Sequence, residues 1–305
     1  MSGGVDSSTA ALMLKEQGHK VIGVTMAIYR GKLNTTTSYK CGGACYGPDE
    51  KEDIEAARNI CNQIGIDYYV FDCVEKYNEI VLEKFKKEYL SGRTPNPCVW
   101  CNSLIKFDVL PRIARLNGIE FDKFATGHYA RIEKLPNGRY AIRNSVTAAK
   151  DQTYALYNLT QDQLSKTLMP VGEYTKDQIR AMADEIGLLV AHKPDSQDIC
   201  FVSDGDYASY IEENSDAKIT PGNFVLSDGT VVGKHKGIIH YTVGQRKGLG
   251  LSLGHPVFVL EIRPETNEVV VGSNEESMSR YVRADQVNFM TVEDLTFSEL
   301  SLIHI

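Results

Sequence analysis

Three cysteines have surroundings that suit covalent chemistry. Cys98 and Cys101 lie in the proline-shaped segment Gly92–Asn102, just before a helix that we expect to begin near residue 102. A thiol at the start of a helix has a lowered pKa, which favours the reactive thiolate. Cys200 follows much later, in the segment Asp195–Phe201.

Cysteines at these spacings suit two different chemistries. A C-x-x-C pair with further thiols is half of a zinc or iron–sulfur site, although the second close pair, Cys41 and Cys45, has the weaker C-x-x-x-C spacing. Alternatively, one cysteine carries a persulfide and another thiol attacks it, which requires two accessible thiols near one electrophile. The residues alone leave both chemistries open. We expect Cys61 and Cys73 to be small core residues.

A glycine- and serine-rich segment at the start of the sequence could bind phosphate. Residues 1–8 read Met-Ser-Gly-Gly-Val-Asp-Ser-Ser and lead into a predicted helix. Gly3 and Gly4 permit a tight turn, while the helix N-terminus and the hydroxyls favour an anion. The spacing excludes a Walker A loop. Taken alone, the segment fits an ordinary helix cap equally well.

The scaffold for these side chains is an alternation of helices and strands over the first two thirds of the chain. Helical spacing, glycines at helix ends and short apolar runs mark the elements. We expect helices over 7–17, 49–64, 74–90 and 105–116, and strands over 21–26, 68–71 and 121–126. This order predicts an α/β fold with a parallel sheet, which binds ligands at the carboxyl ends of its strands.

Short strands separated by glycines predict a small β-rich domain after about residue 202. We expect strands over 223–226, 230–232, 257–262 and 268–272. Asp228-Gly229 is typical of a hairpin turn. A boundary between Ser203 and Tyr207 gives domains over 1–203, 204–272 and 273–305.

Composition narrows the class of protein. With 42% hydrophobic and 24% charged residues, a wholly disordered chain is excluded. No apolar run approaches the roughly 20 residues of a membrane span, and no secretory signal opens the sequence. Seven cysteines without an export signal indicate a reducing, cytoplasmic setting.

The net charge of −7 is unevenly distributed. Residues 204–305 carry 15 acidic and 8 basic side chains, which leaves the rest neutral. Within that acidic part, Gly229–Leu260 holds no Asp or Glu, but does hold Lys234, Lys236, Arg246 and Lys247. Such a stripe is either a solvated basic loop or a contact for RNA phosphate.

Six segments in one order identify a family that the sequence resembles. They are Ser2–Ser7, Gly92–Asn102 followed by Ile105–Phe107, Thr126–Tyr129, Lys150–Gln152, Asp195–Phe201 and Gly244–Gly250. Together they closely resemble the bacterial tRNA-specific 2-thiouridylases, which are PP-loop ATPases, from residue 2 to about residue 272. The resemblance implies a PP-loop (adenine nucleotide alpha hydrolase-like) domain, a central β-rich domain and a C-terminal β-barrel, here cut short at Ile305.

The resemblance also implies a role for each motif. Cys101 would be the nucleophile and Cys200 would carry the persulfide. The ATP-binding residues would be Ser2, Gly3, Gly4, Val5, Asp6, Ser7, Ser8, Met26 and Gly127. The target base would be lined by Asn96, Pro97 and Cys98, and the tRNA contacted by His128, Lys150, Asp151 and Gln152.

The implied reaction is thiolation of the wobble uridine of tRNA. ATP, with Mg²⁺, would adenylate the C2 oxygen, and the persulfide sulfur would replace it, leaving a Cys101–Cys200 disulfide. The implied partners are tRNA and a persulfide donor, either a cysteine desulfurase or a sulfur-relay protein, with no membrane.

Two departures from the family pattern keep alternatives open. The family has a β-strand before the loop, so we expect the sheet here to lack the strand that aims it. Some members have Asp at the position of Cys98, where a thiol could support an iron–sulfur cluster with Cys101 and Cys200. The alternatives are another PP-loop adenylating synthetase for a small molecule, and a non-catalytic metal or iron–sulfur module that binds RNA.

Overall fold

The structure is a computed structural model that describes residues 1–29, 46–47, 49–188, 199–202, 205–281 and 283–293. Cys41 and Cys45 lie outside the described residues, as do positions 195–198 of the segment that ends at Phe201. No helix in the described ranges is long and apolar enough to cross a membrane.

A parallel pair of strands with two helices opens the fold. These elements are α1 (Val5–Glu16), β1 (Ile22–Ala27), α2 (Glu50–Ile64) and β2 (Asp67–Asp72). β1 and β2 run in parallel, with Ile22 opposite Asp67. As predicted, α2 ends at Gly65, whose φ of 67° is the left-handed conformation that stops a helix. α1 begins two residues before the predicted start, so Val5–Ser8 form its first turn.

A second parallel pair and a hairpin follow. β3 (Phe124–Ala125) pairs in parallel with β6 (Thr167–Leu168), and β4 (Ala130–Lys134) forms an antiparallel hairpin with β5 (Tyr140–Asn144). β3 is therefore shorter than the strand predicted over 121–126. Within the described ranges of the first domain, the parallel strands form two separate pairs rather than one continuous sheet.

Two long helical segments contain π-helical stretches. α3 (Val74–Tyr77) continues through a π-helical stretch at 78–83 into α4 (Lys84–Leu90), and α5 (Pro97–Trp100) continues through 101–109 into α6 (Leu110–Leu116). The expected helix start near residue 102 is wrong, because the helix begins at Pro97. Asn96 caps it by accepting the Cys98 N–H at 3.2 Å, and proline suits the first helical position.

Two further helices, α7 (Gln161–Ser165) and α8 (Lys176–Glu185), complete the first domain. The β-rich part contains α9 (Tyr207–Glu213), β7 (Gly222–Val225), β8 (Val231–His235), β9 (Phe258–Arg263) and β10 (Glu268–Gly272). The sheet order is β8-β7-β10-β9, with β10 parallel to β7 and antiparallel to its other neighbour. The four predicted strands and the Asp228-Gly229 turn are confirmed: Asp228 accepts the Thr230 N–H at 2.8 Å, and Gly229 has a φ of 88°.

Residues after β10 lie partly against the first domain. Arg139 donates to the carbonyl oxygens of Phe289 at 2.7 Å and Met290 at 3.0 Å, and Asn288 donates to that of Leu159 at 2.9 Å. No strand occurs among the described positions of 273–293.

Candidate active site

A cavity of about 1100 Å³ brings most of the predicted site together. Its walls include residues of β1 and β3, the start of α1 and the turn before α5. The predicted site residues that line it are Ser2, Gly4, Val5, Asp6, Ser7, Met26, Asn96, Pro97, Cys98, Gly127, His128, Lys150 and Gln152. The described lining residues do not include Gly3, Ser8, Cys101, Asp151 or Cys200.

The opening loop is a tight turn that leads into α1. Gly3 has a φ of 67°, and a Cβ there would lie 2.7 Å from the Asp53 carbonyl oxygen, so only glycine fits. The Ser2 N–H donates to the Ser7 hydroxyl at 3.2 Å, and the Ser8 hydroxyl donates to the Gly4 carbonyl at 2.7 Å. The first N–H groups of a helix have no partner within it, and here they meet the cavity.

A buried lysine on α8 holds the loop through Asp6. Lys176, the first residue of α8, is 7% exposed, and its ammonium group lies 2.7 and 2.9 Å from the two carboxylate oxygens of Asp6. The Tyr129 hydroxyl donates to the same carboxylate at 2.8 Å. Gly127 packs directly on this turn, since a Cβ there would come within 2.6 Å of the Ser7 nitrogen.

The two cysteines of the C-x-x-C pair face different surroundings. Cys98 is partly exposed and lines the cavity, next to the capping residue Asn96. Cys101 is 9% exposed and belongs to the main hydrophobic cluster, which residues of both domains form. Cys200 packs against that same cluster. Its neighbour Ile199 reaches the cavity wall.

Aromatic residues surround Cys200. The Tyr77 hydroxyl lies 3.3 Å from its sulfur, within hydrogen-bonding distance, and the Tyr77 ring stacks on Tyr46 with centroids 5.4 Å apart. Burial, with Tyr29 and Cys200 contributing, raises the pKa of Tyr46, so its hydroxyl stays protonated. Where the Tyr77 hydroxyl is the donor, this hydrogen bond stabilises a thiolate at Cys200.

His128 is held in its neutral form. Its Nδ1 lies 2.9 Å from the Thr126 hydroxyl, and its ring packs beside Phe107 with centroids 5.8 Å apart. Burial, followed by the neighbouring Lys106 ammonium group, lowers the pKa of His128 to about 3. The ring can therefore donate or accept a hydrogen bond but carries no charge near neutral pH.

Asp151 and Gln152 organise a turn at the cavity rim. Asp151 accepts the N–H groups of Ser145 at 2.8 Å and Thr153 at 3.0 Å. Burial acts in the opposite direction, but these hydrogen bonds lower the pKa of Asp151 and keep it ionised. Gln152 accepts the Tyr129 N–H at 2.9 Å. Both side chains fix the loop from which Lys150 lines the cavity.

Geometry gives the cluster hypothesis no support. Among the described residues, no group of three or more His, Cys, Asp or Glu side chains is arranged to hold a metal ion. Cys98, Cys101 and Cys200 thus do not form a ligand set in this structure. Cys61 and Cys73 are buried, at 0% and 2% exposure, as expected of core residues.

Two residues of the site, Lys176 and Tyr129, were not predicted as functional. Tyr129 belongs to a recognised segment, but no spacing shows that its hydroxyl reaches Asp6. Lys176 follows Thr175, which caps α8, and the sequence there is that of an ordinary helix start. Only the packing of α8 against α1 brings this lysine to the loop.

Two family models match the chain. The tRNA methyl transferase HUP domain matches residues 1–204, and the tRNA methyl transferase PRC-barrel domain matches residues 209–273. A solved structure, a predicted subunit of tRNA methyltransferase from Methanocaldococcus jannaschii, is 16% identical with a TM-score of 0.32, covering 61% of this chain and 73% of that one.

Curated relatives cover nearly the whole chain. The tRNA-specific 2-thiouridylase MnmA of Lachnoclostridium phytofermentans is 57% identical over 96% of this chain and 80% of its own length. Those of Acetivibrio thermocellus and Clostridioides difficile are 50% and 49% identical, each over 97% of this chain and 80% of the relative. The resemblance read from six short segments is therefore confirmed along almost the entire sequence, and the chain belongs to the tRNA-specific 2-thiouridylase family.

Proposed function

We propose that this chain transfers sulfur to C2 of the wobble uridine in tRNA and consumes ATP in doing so. One observation carries the proposal. One cavity is lined by residues of three segments: the loop Ser2–Ser8, proposed to bind phosphate, the turn Asn96–Cys98 and the turn Lys150–Gln152. The substrate is inferred from the relatives, which are named as tRNA-specific 2-thiouridylases.

The loop would serve the activation step. The N–H groups at the start of α1 and the Ser2 and Ser7 hydroxyls would hold the phosphates of ATP, while Met26 and Gly127 would line the rest of its site. Cleavage between the α and β phosphates would place AMP on the C2 oxygen of uracil, turning a poor leaving group into a good one.

Mg²⁺ fits beside this loop as a partner of the phosphates. The ion usually keeps several waters and takes one or two carboxylates together with substrate phosphates. Asp53 lines the cavity next to the loop, and its carboxylate would hold the ion. When bound, Mg²⁺ would neutralise charge on the phosphates.

The two cysteines would supply the sulfur. Cys200 would receive a terminal sulfur from a persulfide donor, such as a cysteine desulfurase or a sulfur-relay protein. That sulfur would bond to C2 as AMP leaves, and the Cys101 thiolate would attack the inner sulfur of Cys200. The two thiols give up two electrons and form a disulfide, the transferred sulfur is reduced, and a reductant must reopen the disulfide. The reducing cytoplasm would supply it.

The tRNA would approach from the rim of the cavity. An anticodon base can be splayed out of its stack because single-stranded loops permit it. Asn96, Pro97 and Cys98 would line the base, and His128 and Lys150–Gln152 would contact the RNA. We propose domain limits of 1–203 for the ATP-binding part and 204–272 for the central part, with 273–305 following.

The nucleotide products test the proposal. Purified protein is given ATP, unmodified tRNA and a persulfide donor, and nucleotides and nucleosides are quantified. We expect AMP and pyrophosphate to form in a one-to-one ratio with 2-thiouridine, and Cys101→Ser to abolish 2-thiouridine. ADP and phosphate as products, or full activity of the serine variant, would contradict the proposal.

A further inference from the structure

Tyr154 is an exposed aromatic residue inside the candidate site. Its side chain is 62% exposed, yet it lines the same cavity as Asn96, Pro97 and Cys98. A large ring left open to water at the wall of a cavity, rather than packed into the core, is a surface available to a ligand.

The backbone under this ring is firmly held. Residues Thr153–Ala155 form one turn of 3-10 helix. Asp151 accepts both the N–H and the hydroxyl of Thr153, at 3.0 and 2.5 Å, and Asn102, which is 3% exposed, donates to the Ala155 carbonyl at 3.1 Å. The ring is therefore presented by a fixed turn although it makes little contact of its own.

The ring and the turn Asn96–Cys98 share one cavity, since Tyr154 and Cys98 both line it. Burial, followed by the charge of a Cys98 thiolate, raises the pKa of Tyr154. The phenol stays neutral, so it offers a flat, uncharged face beside the residues proposed to hold the target base.

We propose that Tyr154 is a stacking platform for the target uracil once this base leaves the anticodon stack. The proposal rests on the proposed function and names the residue that receives the base. Single-stranded bases are commonly held on aromatic rings, because every base has a π-face and stacking offsets the loss of its neighbours in the loop. Stacking would hold the ring of uracil flat beside Cys98.

The chain provides a matched control in Tyr157. This residue lies three positions further on and is 58% exposed, but it is not among the described residues that line the cavity. Replacing either tyrosine removes an exposed ring from the same stretch of chain. Only Tyr154→Leu removes one that faces the proposed base site.

The experiment measures binding to two anticodon hairpins, one with uridine and one with an abasic nucleotide at the target position. For the uridine hairpin we expect Tyr154→Leu to weaken binding roughly tenfold, Tyr154→Phe to stay near wild type, and Tyr157→Leu to have no effect. For the abasic hairpin we expect wild type and Tyr154→Leu to bind equally, because the stacking partner is gone. Thermal unfolding of each variant verifies that it is folded.

Other outcomes separate the possibilities. An equal loss on both hairpins, an equal loss in Tyr157→Leu, or a raised KM for ATP with unchanged hairpin binding would overturn the stacking role. Formation of 2-thiouridine by the wild type is measured in parallel. Base-dependent binding through Tyr154 without any 2-thiouridine would support the stacking role of Tyr154 and refute the proposed function. Formation of 2-thiouridine with no base-dependent effect of Tyr154→Leu would support the proposed function and refute the stacking role.

Discussion

At the scale of single residues, the pairing of Lys176 with Asp6 is the feature that sequence patterns miss and packing supplies. Asp6 stands in a recognisable loop, but its partner comes from a helix 170 residues later. The cysteines, in contrast, stand out in the sequence by their types and surroundings, and their catalytic roles stay predictions. Chemistry-bearing side chains are visible in a sequence, while the residues that orient them depend on tertiary contacts.

Lys176→Met should weaken the loop. The Asp6 side chain is 30% exposed, so solvent screening reduces the cost of an unpaired buried charge to about 2 kcal/mol of unfolding free energy. We also expect a raised KM for ATP, measured by steady-state kinetics. The control is Lys166→Met, because Lys166 pairs with Asp162 on an exposed helix surface and should cost less than about 1 kcal/mol. Equal effects of the two substitutions would contradict the role of Lys176.

His128 predicts a defined pH dependence of stability. Its pKa is lowered from 6.5 to about 3 by burial and by Lys106, so the unfolded chain binds a proton in a range where the native protein does not. Its contribution is therefore complete above about pH 6.5 and is lost as the pH falls towards 3. When the pH is lowered from about 7.5 to about 5, the free energy of unfolding of the wild type should fall by up to about 2 kcal/mol more than that of His128→Gln. Urea unfolding at the two pH values measures this difference. Identical pH profiles for the two proteins would show that this histidine titrates normally.

At the scale of elements, segments with a regular hydrophobic period were predictable, whereas segments interrupted by proline or glycine were not. α2, β2 and the strands of the second domain were expected close to their observed bounds. The start of α5 was missed because Pro95 and Pro97 suggested a loop, although Asn96 followed by proline is also a helix-start pattern. The β4–β5 hairpin was missed despite its Asn137-Gly138 turn, where Gly138 has a φ of 83°.

Gly127→Ala tests how the end of β3 meets the start of α1. A Cβ there would lie 2.6 Å from the backbone of Asp6 and Ser7, so the substitution should destabilise the nucleotide-free protein by about 1–3 kcal/mol. Gly4→Ala is the control, because its Cβ would meet only the Ser2 hydroxyl at 3.5 Å. In thermal unfolding without ligand, we therefore expect a lower Tm for Gly127→Ala and an unchanged Tm for Gly4→Ala. Equal Tm values would show that β3 and α1 can separate without cost.

At the scale of the whole molecule, the first domain and the β-rich part share contacts near the candidate site. The Thr94 hydroxyl donates to that of Thr242 at 3.1 Å, and a Cβ on Gly92 would come within 3.0 Å of Ile262. These contacts connect the segment that carries Cys98 to the loop Gly244–Gly250. The order of the two domains was predictable from the change to short strands separated by glycines and from the family motifs. The contacts between the domains could be seen only in the structure.

The basic stripe predicts salt-dependent RNA binding. Arg246 and Lys247 are exposed on a loop tied to β9 by the Gly244 N–H, which donates to Val259 at 2.8 Å. The log of the affinity for tRNA falls linearly with the log of the salt concentration, because each phosphate contact releases a counterion. Arg246→Gln combined with Lys247→Gln should make this slope shallower by about 1 to 2. Arg263→Gln, whose partner Glu261 lies 2.7 Å away, is the control and should leave the slope unchanged. An unchanged slope in the double variant would mean that this loop does not meet phosphate.

A single-turnover measurement shows whether Cys101 and Cys200 meet during sulfur transfer. Protein loaded with persulfide on Cys200 is mixed with ATP and unmodified tRNA without reductant, and its peptides are analysed by mass spectrometry. We expect one disulfide between the Cys101 and Cys200 peptides for each 2-thiouridine formed. Full formation of 2-thiouridine with both thiols still reduced and unlinked would contradict it.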